Sequence, residues 1–432
     1  MKRTMAMTAM LAVGALALSG CGGADDASGG DKKVEISYLT PKAVGVDMNA
    51  ELIEAFEAEN PDITVTQNTR PSGPEGDNLV KTKLSTGEME DIFQYNSGSS
   101  IQALNPDQNL VDVSDQDWVG DLTDDMTGAV STDKGLYGAP SGTSRGGVVL
   151  YNKKVYEELG LKVPTSWDEF AANNDKIKAA GKTAVIQSYG TDWTSQLFVL
   201  ADFGNVLAQD PEWGDAYTKG ERKYADEPAV DGFTHQQQAF DSDWFNKDYA
   251  SATLDDGIKM LADGDGVHYP LLSNGMASAE QNYPDQVDDI GAFAMPATDG
   301  KNTTMTVWLP GAAYIPSSTE GDKLEASKKF LAFLSSDKAC DIQGTANDPA
   351  GPFATTACSL PDDVPAFLDD MQEYYDAEQT NPALEFVSPV KGPNLTNIVV
   401  EVGSGIRPAE DGAALYDEDV KKQAQQLGLE GW

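Results

Sequence analysis

Few side chains in this sequence have the types and spacing that covalent chemistry requires. Its two histidines, His235 and His268, stand in unrelated contexts, which leaves little material for a histidine-based triad or a zinc site. No Walker sequence occurs, nor a G-x-G-x-x-G after a strand, so no motif calls for a nucleotide cofactor. Asp263-Gly264-Asp265-Gly266 has the composition of a calcium loop but lacks the EF-hand spacing and its distal Glu. It reads as a turn, and no metal site is expected. The 70 Asp and Glu residues offer many carboxylate pairs of the kind glycoside hydrolysis uses. Their abundance makes any pair uninformative, and no motif selects one.

The amino terminus assigns a compartment. Lys2 and Arg3 precede an apolar stretch from Met5 to Leu18 that is short of the about 20 apolar residues a spanning helix needs, and the basic flank is that of an export signal. Leu18-Ser19-Gly20-Cys21 resembles the bacterial lipobox, in which the Cys thiol is acylated and cleavage leaves it as the first residue. The alternative is ordinary secretion past a small-residue cleavage site. Residues 22–31 have the composition of a flexible linker. Residues 1–20 are therefore expected as a signal peptide and 21–33 as a lipidated linker, holding the protein on the outer face of the cell membrane. With Cys21 acylated, Cys340 and Cys358 remain as a pair in an oxidising compartment. They are expected to form a disulfide worth about 3 kcal/mol for a loop of this length, the alternative being two buried thiols.

Composition limits the remaining classes. Loss of 20 residues from 432 leaves a chain longer than one core usually holds, so two or three domains are expected. With 40% hydrophobic and 23% charged residues, it should be globular. The net charge of −40, more negative still without Lys2 and Arg3, would repel phosphate backbones, which excludes nucleic acid as a partner. It reads as a well-solvated surface.

Apolar periodicity gives the elements. Residues 34–40 alternate as a strand, Leu52, Ile53 and Phe56 mark one face of a helix stopped by Asn60-Pro61, and 63–66, 77–84 and 91–95 continue as strand, helix and strand. That rhythm predicts a parallel sheet in an α/β domain. Residues 148–151 form a strand, Lys153–Leu159 a helix ended by Gly160, and Ser166 with Glu169 fits a capping box. A strand at 183–186, a helix at 324–334 and two helices within Ala409–Leu427 complete the reading.

Within this pattern, the run Tyr151-Asn152-Lys153-Lys154-Val155-Tyr156-Glu157-Glu158-Leu159-Gly160-Leu161, then Val163-Pro164-Thr165-Ser166-Trp167-Asp168-Glu169-Phe170, resembles the signature of extracellular solute-binding proteins of bacterial ABC importers. The likeness is to family 1, which binds sugars and oligosaccharides and includes maltose-type binders. Leu136-Tyr137-Gly138-Ala139-Pro140, Ser273-Asn274-Gly275, residues 290–296 and residues 325–334 support it. The resemblance implies a two-lobed α/β fold of the type II periplasmic-binding-protein kind, with crossing strands and a ligand cleft between the lobes. It places lobe I at 34–144 plus 292–340 and lobe II at 145–291 plus 341–432. It also implies a monomer that is not an enzyme, needs no cofactor, captures a carbohydrate by hinge closure and hands it to transmembrane permease subunits.

Sugar recognition uses flat aromatic faces against C–H surfaces and fixed polar groups for hydroxyls. By resemblance, Trp193 in Tyr189-Gly190-Thr191-Asp192-Trp193 is the first candidate for stacking, with lobe packing as its alternative. Trp308 is the second, while Trp167 is structural. Lys42, Tyr95, Asn96 and Ser97 follow first-lobe strands, where open sheets present ligands. Arg145 stands where the maltose-type pattern has an acidic residue, which suggests a ligand with an acidic or differently placed acceptor group. Asn274-Gly275 is followed by Met276-Ala277 where the family often has an aromatic, so the stacking platform is either smaller here or supplied by Tyr269 or Tyr283. A non-sugar ligand such as a polyamine or organic acid, and a lipid-anchored glycosidase, are the competing readings.

Overall fold

Strand formation at the start of the chain follows from alternation: Val34–Pro41 buries Ile36 and Tyr38 and leaves Glu35 exposed. In a computed structural model describing residues 33–42, 48–71, 73–345, 349–361 and 364–432, this strand is the hub of the first sheet. Ile63–Arg70 runs parallel on one side, registered from Val34 opposite Ile63 to Pro41 opposite Arg70, and Ile92–Tyr95 runs parallel on the other. Gly311–Tyr314 and Gly138–Ser141 complete the sheet antiparallel. The helix Met48–Glu59 lays Leu52 and Phe56 on this core, and the Phe56 ring meets Phe330 of helix Gly321–Leu334 edge-on at 5.0 Å. Asn60 ends the first helix by donating its side-chain amide to the Phe56 carbonyl at 3.0 Å. The expected signal peptide, Cys21 and nearly all of the linker lie outside the described residues.

A second sheet is built on Arg145–Asn152, whose residues are buried from Gly146 onward. Gly266–Leu272 pairs antiparallel along one edge. The other edge is shared, with Ile290–Ala294 opposite residues 148–152 and Met305–Trp308 opposite 145–147. Thr183–Val185 and Thr380–Pro382 extend the sheet as parallel strands. Both sheets are thus mixed rather than parallel, because the strands that cross between lobes run against their neighbours. The molecule is a two-lobed α/β protein.

The lobe limits differ from those expected. Ile290–Ala294, which straddles the anticipated return at 292, belongs to the second sheet, and the chain re-enters the first only at Gly311. First-lobe packing then continues past 340, since Ala354 joins that core. Cys340, on helix Asp337–Thr345, and Cys358 form the expected disulfide with their Cα atoms 5.3 Å apart.

Capping chemistry sets the signature segment. Asn152 accepts the Val155 N–H at 2.9 Å, and Gly160 closes that helix in the left-handed region at φ 61°. Ser166 caps Trp167–Ala179, but Glu169 turns its carboxylate to the backbone and hydroxyl of Thr165, at 2.8 and 3.0 Å, so the box is displaced by one residue. Ala409–Leu427 is one helix of 19 residues, not two. Its Gly412 lies in the first turn, facing Val402 where a Cβ would come within 2.5 Å, and does not interrupt it.

Candidate functional site

The lobes are joined by adjacent crossings that hold the site at their hinge. One runs from Gly138–Ser141 through Gly142-Thr143-Ser144 into Arg145–Asn152. The other runs from Met305–Trp308 through Leu309-Pro310 into Gly311–Tyr314. Each pairs with the other on both sides, with Trp308 opposite Arg145 in the second sheet and Gly311 opposite Ser141 in the first. Gly142 takes φ 97°, which favours glycine. A third segment lies alongside, tied by the Ser144 N–H to the Pro352 carbonyl at 2.8 Å and by Ser273 Oγ, which donates to the Ala350 carbonyl at 2.5 Å.

Two cavities flank these crossings and share Asn96, Arg145 and Gly311. The larger, about 440 Å³, is bounded by Trp193, Trp308, Gln196, Glu385, Phe386 and Lys391, among others. Trp308 is largely buried, with its indole N–H donated to Glu385 Oε1 at 2.9 Å. A Cβ on Gly147 would fall 2.7 Å from Trp308 Cζ3, so that glycine makes room for the ring. Trp193 is half-buried at the end of the loop after Thr183–Val185. Burial pushes the Glu385 carboxyl up, but the Lys391 charge, a backbone N–H and the Trp308 indole outweigh it and leave the group below its ordinary value. Lys391 Nζ stands 3.4 Å from Glu385 Oε1, while Glu385 Oε2 is buried with no partner. Phe386 packs on the cores of both lobes, against Gly98 at φ 68°, where a Cβ would meet its ring at 2.8 Å.

The second cavity, about 400 Å³, lies toward Pro41, Arg70, Gln94, Tyr95, Asn274 and Gln343. Arg70 ends the strand Ile63–Arg70, donates to the Pro71 and Gln94 carbonyls at 3.1 and 3.3 Å, and sets its guanidinium carbon 5.6 Å from the Tyr95 ring centre. Burial pushes the Tyr95 hydroxyl up, and the Asp77 charge adds to it. Burial lowers the Arg145 guanidinium against the opposing charge of Glu385.

Of the residues singled out in the sequence, Trp193, Trp308, Asn96, Ser97 and Arg145 line the larger cavity, and Tyr95 and Asn274 the smaller. Ser97 is buried, its hydroxyl donated to the Pro310 carbonyl at 2.7 Å, so it braces the hinge. Lys42 is exposed beside Pro41 and is not among the described lining residues. Tyr269 is not at the cleft: it is fully buried in the second-lobe core, its hydroxyl bonded to Ser188, because its strand is covered on both faces. Tyr283 packs at the edge of the same core, away from both cavities. Arg70, Gln196, Glu385, Phe386 and Lys391 carried no sequence signal, since they come from a strand end, short helical turns and a loop far apart in the chain and brought together only by the fold.

Both histidines are interior. His268 joins Tyr156 at 2.6 Å and Asn174 at 2.7 Å, and His235 stacks on Trp167 with ring centres 3.7 Å apart. Burial pushes each down to about 3. Among the described residues no group of three or more His, Cys, Asp or Glu is placed to hold a metal ion. Nor is any helix among them long and apolar enough to cross a membrane.

Comparison with known proteins agrees with this architecture. The chitin oligosaccharide binding protein superposes with a TM-score of 0.77 at 18% identity, covering 91% of this chain and 100% of that one. RafE in complex with raffinose gives 0.74 at 19%, with 91% and 100% covered. These likenesses establish the fold. In sequence, the chain is 23% identical over 338 residues to the multiple sugar-binding protein of Streptococcus mutans, covering 76% of this chain and 78% of that protein. The family model for the bacterial extracellular solute-binding protein matches residues 43–339, more than half of the chain, and the protein therefore belongs to that family.

Proposed function

We propose that this is a lipid-anchored, extracellular substrate-binding protein that captures a carbohydrate, mono- or oligosaccharide, by hinge closure and delivers it to the permease subunits of an ABC transporter. The observation that carries this reading is the larger cavity. It sets the indoles of Trp193 and Trp308 beside Glu385, Arg145 and Lys391 at the junction of the lobes. Aromatic faces suit the C–H side of a pyranose. A carboxylate oxygen left without a partner suits a hydroxyl donor, since a buried acceptor is costly until it is satisfied. The names of the Streptococcus mutans relative and of the raffinose-bound neighbour support a sugar as the ligand class.

Closure about the crossings Gly142–Ser144 and Leu309–Pro310 would bury the ligand and create a shape that exists only when loaded. Cys21 would tether a monomer to the outer face of the membrane, with the linker giving it reach to the permease. Thermal-shift screening of neutral sugars, acidic sugars, polyamines and small organic acids tests the reading. A ligand that binds only the native state raises the melting temperature. Stabilisation by at least one carbohydrate is expected, and stabilisation by polyamines or simple acids alone would refute it.

A further inference from the structure

The smaller cavity has a composition opposite to that of the chain. In a sequence with 70 acidic and 30 basic residues, none of the described residues lining it is acidic, and two of them are arginines, Arg70 and Arg145. The guanidinium groups approach from different lobes, Arg70 from the end of a first-sheet strand and Arg145 from the start of the central second-sheet strand. Neither has a carboxylate within ion-pair distance among the described residues. Arg70 is held by two main-chain carbonyls and the face of Tyr95, with the Asp77 charge acting on it from outside the lining. Arg145 makes one long bond, from Nη2 to the Leu309 carbonyl at 3.4 Å. Each keeps a buried Nε–H with no partner. Glu385 acts on Arg145 from the neighbouring cavity, but that carboxylate is already engaged by Lys391 and the Trp308 indole.

We infer that this cavity receives an anionic group on the ligand, a carboxylate of an acidic sugar, while the adjoining cavity with its two indoles receives a neutral ring of the same molecule. A planar carboxylate matches the fork of a guanidinium in two parallel hydrogen bonds, which a hydroxyl cannot reproduce. Asn96 and Asn274, exposed at the rim of the same cavity, supply further amide donors. Arginines from both lobes facing one anion would also couple its binding to closure, because the charge is shared only when the lobes meet. The two cavities adjoin, sharing Asn96, Arg145 and Gly311 in their walls, which suits a ligand of more than one ring. This inference rests on the carbohydrate reading above.

The test is titration calorimetry on the intact protein with disaccharide pairs of the same linkage that differ only by oxidation at one C6: galactosyl-galacturonate against galactobiose, and cellobiouronate against cellobiose. In at least one pair the acidic member should bind about tenfold or more tighter, the scale of one charge-assisted hydrogen bond. The readout is the ratio of acidic to neutral affinity within each variant: Arg145→Gln should abolish that preference, whatever it does to the neutral member, and Arg145→Lys should restore part of it; Arg70→Gln, at a residue lining the smaller cavity alone, provides a second, independent loss. Neutral members binding as tightly as acidic ones, or Arg145→Gln weakening both equally, would overturn the anionic subsite alone. If no member of any pair binds and no other carbohydrate does, both this inference and the carbohydrate reading fall.

Discussion

The Trp308 indole N–H is donated to Glu385 Oε1 at 2.9 Å, across 77 residues of sequence. The bond fixes the plane of the aromatic ring against one wall of the cavity and orients the carboxylate whose second oxygen has no partner. Lys391 closes the arrangement from the other side. A recognition site is pre-organised in this way when its side chains are held by one another before the ligand arrives, which lowers the ordering cost of binding.

Trp193 is half-buried and free of a side-chain hydrogen bond among the described residues, and its ring packs partly on the second-lobe core while it lines the larger cavity. Trp193→Ala should keep the fold with a lowered melting temperature, because part of the ring packs on the core, and should weaken carbohydrate binding by about 1 to 3 kcal/mol. Calorimetry on both proteins checks it, and an unchanged affinity removes Trp193 from the site.

Gly147 tests the placement of Trp308. A methyl group there would lie 2.7 Å from the ring and 3.0 Å from the Ala201 side chain, and neither neighbour is the tip of a flexible chain. Gly147→Ala should therefore cost about 1 to 3 kcal/mol of stability and reduce affinity by displacing the indole. Denaturant unfolding paired with a binding titration reads both effects.

The disulfide closes a loop of 18 residues on the first lobe. The double variant Cys340→Ser with Cys358→Ser should lose about 3 kcal/mol of stability and keep its ligand affinity, since neither cysteine is among the described lining residues of the two cavities. Reductant should reproduce the loss in the wild-type protein and have no effect on the variant.

The buried histidines give a pH dependence with a definite sign. Each falls from 6.5 to about 3 on folding, so the unfolded chain takes up protons that the native state refuses. Stability is then lost as pH drops from 6.5 toward 3, at up to about 1.4 kcal/mol per pH unit for each ring. Asp202 opposes this: burial raises it from 3.8 to about 7, so its contribution is lost as pH rises through that range. Because these titrations span the same range of pH with opposite sign, His268→Gln should flatten the loss of stability on acidification and Asp202→Asn should steepen it. Imidazole NMR should find both rings neutral at about pH 5, well above their native values; a protonated ring there contradicts the assignment.

Cys21 lies outside the described residues, and the tether proposed for it is tested in cells. Cys21→Ser should move the protein from the membrane fraction to the medium with unchanged ligand affinity, as read by fractionation and calorimetry. Retention on the membrane would contradict the lipid anchor.

The first-lobe strands and the signature helix were legible because alternation, an Asn cap and a terminal glycine act locally in the chain. The crossings were not. Ile290–Ala294 reads as a strand in either lobe, and only its pairing with residues 148–152 assigns it. Trp193, Trp308 and Arg145 could be singled out from family resemblance. Glu385 and Lys391 could not, because a short turn after Thr380–Pro382 has no periodicity to mark it and gains its position by pairing with Met305–Trp308. Tyr269 misled for the opposite reason, since an aromatic in a strand covered on both faces looks the same in sequence as one facing a cleft.

The most direct measurement is a calorimetric titration of the intact protein with a panel of neutral and acidic mono- and oligosaccharides, repeated with Trp193→Ala. Saturable binding of at least one carbohydrate, weakened in the variant, is the predicted result. A protein that binds no carbohydrate while binding a polyamine or a small organic acid with an affinity indifferent to Trp193 would contradict the account.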